Sequence, residues 1–143
     1  MIVLDTTILV YAVGAEHPLA ANCREVVRAV AEGEVRATTT PEVIQELAHV
    51  RARRRGRSDA VEVARSFATL LSPLLVVNDE DLAAGLALFE RTTLGSFDAV
   101  LVASALRGGC RLLLSADRAF ASANELPVAN PVDADFLARM RSA

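Results

Sequence analysis

At 143 residues, 52% hydrophobic and 23% charged, the chain has the length of one compact domain and too little for two ordinary ones. All 15 of its basic residues are arginine, which excludes a Walker-type phosphate loop and Schiff-base catalysis, both of which need lysine. Its net charge of −3 argues against indiscriminate binding to polyanions and leaves room for local basic patches.

Short apolar runs alternate with longer stretches of helical period, the pattern of an α/β sheet with helices packed on its faces. Ile2-Val3-Leu4 predicts a buried strand. Asp5 interrupts that run at once and no basic region precedes it, so no leader peptide is expected. A helix is expected from Thr6 to Val13, ending at Gly14. From Pro18, Leu19, Cys23, Val26, Val27 and Val30 recur at helical spacing until Gly33, and Val35 to Thr38 reads as a strand.

Thr40-Pro41 is a helix start, a hydroxyl cap followed by proline at the first helical position, with Val43, Ile44, Leu47 and Val50 as the buried stripe and Gly56 as the stop. Ser58 is expected to cap a further helix with Val61, Ala64, Ala68 and Leu71 inward. Leu74 to Val77 reads as a strand, and Leu82, Leu86 and Phe89 mark the next helix. Ser96 is expected to cap a helix from Phe97 to about Arg107, stopped by Gly108-Gly109. Leu112-Leu113-Leu114-Ser115 is a second clear strand, a short helix should follow Asp117, and a last helix is expected from Asp133 to Met140. No run approaches the ~20 apolar residues of a membrane helix, and a cytoplasmic protein is expected. Cys23 and Cys110 have neither metal nor redox spacing and read as buried apolar residues in a reducing compartment.

Three acids stand at element junctions and a fourth lies within a helix. Asp5 sits where the first strand gives way to a helix, and Asp117 lies just beyond the Leu112–Leu114 strand. Ligands of open parallel sheets bind beyond the carboxyl ends of strands, although a capping role is the ordinary alternative for either residue. Asp98 falls in the first turn of its helix, where the helix dipole alone accounts for an acid. Glu46 is too deep in its helix for that account. It flanks the buried stripe, facing either solvent or a cleft. Glu42, four residues earlier, suits the helix start. Carboxylates brought to ~4 Å repel by about 4 kcal/mol per pair at an effective dielectric near 20, so a cluster must hold protons or a divalent cation. An all-oxygen set favours Mg²⁺ or Mn²⁺ over zinc.

The run from Ile2 through Asp5 to Tyr11, the helix Pro41-Glu42-Val43-Ile44-Gln45-Glu46-Leu47, the segment Phe97-Asp98-Ala99-Val100-Leu101 and the stretch Leu112–Phe120 containing Ser115 and Asp117 together resemble PIN-domain nucleases. They occur in the family's order over nearly the whole chain. By length, the chain is similar to the VapC-type toxins of bacterial toxin–antitoxin pairs. The resemblance implies a PIN-like fold over residues 1–143, with a central, mainly parallel sheet and helices on both faces. It implies an Mg²⁺- or Mn²⁺-dependent endoribonuclease acting on tRNA or rRNA, leaving a 5′-phosphate and a 3′-hydroxyl. Asp5, Glu46, Asp98 and Asp117 would be the catalytic, metal-holding acids, with Thr6 and Ser115 in support. A VapB-type antitoxin and a homodimer are the implied partners. Thr7 stands where the family often has asparagine.

His17 and His49 receive no catalytic role. Arg51, Arg53, Arg54, Arg55 and Arg57 crowd the end of the helix carrying Glu46, where capping would need fewer cations, and they are candidates for contact with RNA phosphates. Aromatic residues make up only 4% of the chain, against an extensive stacking platform. A DNA or structure-specific nuclease of the same fold, and a binding module that does not cut, are the alternative readings.

Overall fold

An unbroken apolar triplet has no polar side to turn toward water, so it suits a strand covered on both faces. The computed structural model, which describes residues 1–143, builds its sheet around two such triplets. β1 (Ile2–Leu4) is central, with β2 (Ala37–Thr38) on one side, β3 (Leu112–Leu114) on the other and β4 (Val128–Ala129) outside β3. Every pairing is parallel, with Ile2 in register with both Ala37 and Leu112.

The chain leaves β1 toward β2 and then crosses back past β1 to β3. Right-handed crossovers in opposite directions put helices on both faces, as expected. α1 (Thr6–Val13) and α2 (Ala20–Ala31) make the first crossing; α3 (Pro41–Arg55), α4 (Arg57–Leu70), α5 (Asp79–Arg91) and α6 (Ser96–Arg107) make the second. A 3-10 turn (Arg118–Ser122) links β3 to β4, and α7 (Phe136–Ser142) ends the chain. One hydrophobic cluster joins the strands to residues of every helix but α4's outer face, with Phe120, Phe136, Leu47 and Leu71 among its sealed side chains. Cys23 and Cys110 are both buried and unpaired, and burial pushes the Cys23 thiol up to about 12. No helix is long and apolar enough to cross a membrane.

Several expectations need correction. Leu74 to Val77 is not a strand. It is an extended connector whose Leu75 N–H donates to the Thr39 carbonyl, and Val76 is exposed. β4 was not foreseen; two residues carry no periodicity. Neither Ser58 nor Ser96 caps a helix: α4 is entered through Gly56 and α6 through Gly95. Gly56, at φ 87°, is both the stop of α3 and the start of α4, a left-handed conformation that a side chain would strain. Val61 faces solvent while Ala60 and Phe67 are buried.

In α5 the inward face is Asp81, Gly85 and Leu88, and Leu82, Leu86 and Phe89 lie outside, each about half exposed. The reason is close approach to α6. A Cβ on Gly85 would meet Val100 at 2.6–2.9 Å, and Asp81 reaches across to Arg107 through two bonds of 2.7 Å. The Arg107 guanidinium holds the Asp81 carboxyl below its ordinary range. Gly85→Ala is therefore expected to destabilise the fold by about 1–3 kcal/mol despite the better helix propensity of alanine. The check is a lower urea midpoint with an unchanged slope.

Candidate active site

Burying a polar side chain is costly without compensation, and this fold concentrates that cost at one edge. Asp5, Thr6, Thr38, Thr39, Thr40 and Ser115 are all buried, and all sit at the carboxyl ends of β1, β2 and β3. This edge contains the point where the chain's crossovers reverse direction, the usual ligand position in a parallel sheet.

Asp5 caps α1 by accepting the Thr7 N–H at 3.3 Å. The same oxygen, Oδ2, accepts the Thr7 and Ser115 hydroxyls, each at 2.7 Å. Burial nonetheless outweighs these bonds and raises the Asp5 carboxyl above its ordinary value. Thr7 Oγ1 also accepts the Ala116 N–H at 2.9 Å, and Ser115 Oγ accepts the Asp117 N–H at 2.9 Å. Two hydroxyls thus join the ends of β1 and β3 around one carboxylate. Thr6 donates to Glu46 Oε2 at 2.6 Å, fixing the side chain that α3 presents.

Asp5, Glu46 and Asp98 line one cavity of about 650 Å³ between α3 and the start of α6. Asp98, half-buried in the first turn of α6, is raised to about 7, first by burial and then by the charges of Asp5, Asp117 and Glu46. Asp117 is placed differently. It caps the 3-10 turn through the Ala119 N–H at 2.8 Å, is exposed, and lines a separate depression with Asn130 and Asp133. Its charge still acts on Asp98 through space.

None of these four acids enters a salt bridge, although the arginines pair elsewhere: Arg51 with Asp59, Arg107 with Asp81, Arg28 with Glu25. No three acidic, histidine or cysteine side chains close to common coordinating distance. The donor chemistry still fits a hard cation: oxygen only, partly buried, mutually repelling, and with no compensating charge from the chain.

The α3 wall also presents Glu42, Gln45 and His49, and the α6 wall presents Phe97. Gln45, singled out above only as part of the acidic helix, and His49, given no catalytic role there, both fall within three residues of Glu46 on α3. Of the arginine run, Arg53, Arg54, Arg55 and Arg57 are exposed, whereas Arg51 is committed to Asp59 and to the Val13 carbonyl, the latter at 2.9 Å. Arg51 braces α3 against α4 and α1.

The PIN domain profile matches residues 2–126. Ribonuclease VapC7 of Mycobacterium tuberculosis is 50% identical over 131 residues, covering 88% of either chain. Among solved structures, M. tuberculosis VapC20, a Sarcin-Ricin loop cleaving toxin, superposes with a TM-score of 0.72 at 18% identity over 87% of this chain and 95% of its own. VapBC2 from Rickettsia felis, bound to a DNA fragment from its promoter, gives 0.69 at 17% identity over 91% and 98%.

Proposed function

The chain belongs to the PIN-domain family, in its VapC ribonuclease branch, and from that membership we propose that it is an endoribonuclease toxin silenced by a VapB-type antitoxin. The observation that supports this most directly is the convergence of Asp5, Glu46 and Asp98 on one cavity, with Asp117 close enough for its charge to act on Asp98 and no arginine in the lining to oppose them. We read residues 1–143 as one PIN domain, working in the cytoplasm as a homodimer.

PIN-domain ribonucleases depend in general on a divalent metal. Here Asp5, Glu46, Asp98 and Asp117 would hold Mg²⁺ or Mn²⁺, and a bound ion supplies Lewis acidity toward the phosphodiester and acidifies water. Asp5 enters the site already oriented, because Thr7 and Ser115 fix one of its oxygens. Glu46 is held by Thr6 in the same way. Asp98 carries a proton in part at neutral pH and releases it when positive charge enters the cavity. The products expected are a 5′-phosphate and a 3′-hydroxyl, from tRNA or rRNA.

The test is to map RNA ends after brief induction in a host lacking the antitoxin, beside purified protein given matched RNA and DNA with Mg²⁺ or Mn²⁺. A recurrent cut in RNA bearing a 5′-phosphate supports the proposal. Cleavage of DNA alone assigns a DNA nuclease of the same fold, and RNA binding without cleavage by either ion assigns a binding module.

Four exposed arginines, Arg53, Arg54, Arg55 and Arg57, are the candidates for phosphate contact. Changing all four to glutamine is expected to flatten the salt dependence of RNA binding by about 0.7 in log–log slope for each phosphate left without its arginine. An unchanged slope rejects the assignment.

A further inference from the structure

We propose that Phe97 is a base-stacking platform at the mouth of the acidic cavity, so that the RNA enters as an unpaired segment with a nucleobase lodged on the ring. This rests on the ribonuclease reading above and adds how the substrate is gripped. Phe97 is 80% exposed, more than any other large apolar side chain of the protein. It immediately precedes Asp98 in the first turn of α6, and both line the cavity. The body of that helix, Ala99 and Leu101 through Ala105, is buried, so the ring stands on a rigid base.

The charges of the cavity argue for a base rather than a phosphate at this spot. Its lining includes Asp5, Glu42, Glu46 and Asp98 but no arginine, so the chain has no cation there to hold RNA by its backbone. The ring is the one phenylalanine, tyrosine or tryptophan surface lining it, and every nucleobase offers a π face to it. The volume of about 650 Å³ lies within the usual range of small-ligand sites. On the facing wall, exposed Gln45 and His49 present donors and acceptors suited to a base edge.

The other aromatics are not available for this role. Phe67, Phe120 and Phe136 are buried, and Tyr11 stacks on His17 at 4.4 Å. Phe89 is exposed on α5 and does not line the cavity. Phe97 does border a second, apolar depression with Leu82, Leu86 and Val100. Coverage of the ring by a protein partner is therefore the outcome the test must separate.

The probe is a 12-nucleotide single-stranded RNA carrying one 2-aminopurine between randomised flanks, titrated with the Asp98→Asn protein so that cleavage does not intervene. Stacking is expected to quench the fluorescence. Adding Phe97→Ala should abolish the quench and weaken binding at least about tenfold, Phe97→Trp should retain both, and Phe97→Leu should behave as alanine. A quench that survives Phe97→Ala overturns the proposal, as does full binding by the leucine variant. It is equally overturned if Phe97→Ala changes the sedimenting mass or antitoxin affinity and leaves RNA binding intact. A Phe97-dependent quench, where the native chain with Mg²⁺ or Mn²⁺ cuts no RNA, supports the platform while refuting the nuclease reading; cutting by the native chain without a Phe97-dependent quench does the reverse.

Discussion

Replacing Asp98 by asparagine is expected to abolish cleavage and, at the same pH, to make the protein more stable. The first effect follows from removing one of four oxygen donors around a cation that stabilises the transition state by several kcal/mol, a loss on the order of 10³-fold or more. The second follows from linkage. Burial and three neighbouring charges raise the Asp98 carboxyl from 3.8 to about 7, so the native state binds its proton more tightly than the unfolded chain does. Ionised Asp98 is therefore a destabilising group. Its effect is absent below about pH 4, grows as pH rises toward 7, and is constant above.

Asparagine removes that penalty, with a gain of about 1–2 kcal/mol at pH 8 once solvent screening at the half-open mouth is allowed for. Urea unfolding of the two proteins at pH 4 and pH 8, without divalent ions, checks both the size and the sign. Mg²⁺ or Mn²⁺ should then raise the melting temperature of the native chain more than that of the variant. Asp5→Asn should lose cleavage to a similar extent. Activity within tenfold of the native chain for either variant, or an Asp98→Asn protein less stable at pH 8, would remove the basis of the proposed centre.

Thr7→Val is expected to cost the next largest share of activity, about 10- to 100-fold, without touching any acid. The threonine hydroxyl donates to Asp5 Oδ2 at 2.7 Å and accepts the Ala116 N–H at 2.9 Å. Valine keeps the branched shape and deletes both bonds, leaving a backbone donor unpaired at the end of β3 and Asp5 anchored through Ser115 and the Thr7 N–H. The unpaired group should cost about 1–3 kcal/mol of stability. Thr7→Ser, which retains the hydroxyl, should recover most of the activity. Equal activity in the valine and native proteins would show that this hydroxyl does not orient the carboxylate. The test bears directly on the chain's departure from its family, threonine in place of the usual asparagine: here a hydroxyl makes the connection between β1 and β3.

The acids were legible to different degrees. The places of Asp5 and Asp117 just past strand ends are legible because strand ends and capping residues are local signals, and both do cap the turn that follows. Proline fixes the start of α3 and makes the depth of Glu46 countable, but the spacing leaves it facing either solvent or a cleft; only the family resemblance singles it out for the site. Its hydroxyl partner, Thr6, lies 40 residues away, and nothing in the spacing announces that bond. The position of Asp117 off the cavity wall, in a depression of its own, also depends on how the 3-10 turn leaves β3.

What the sequence determined by itself was the set of local events: where β1 and β3 run, where Thr40-Pro41 starts a helix, where Gly56 stops one, and which acids stand just past strand ends. Each depends on dihedral preferences, capping bonds and apolar runs within a few residues. The tertiary structure decided which face of each helix turns inward. In α5, Leu82, Leu86 and Phe89 have the same spacing as Asp81, Gly85 and Leu88, and periodicity cannot choose between rows about 100° apart. The choice fell to the polar row because Gly85 lets α6 come close and Arg107 lies within reach of Asp81. It also decided that Arg51 pairs with Asp59, that Phe97 stands free beside Asp98, and that charges distant in the chain raise the Asp98 carboxyl. Such outcomes are sums over neighbours from separate elements, and they take definite values only once those elements have packed.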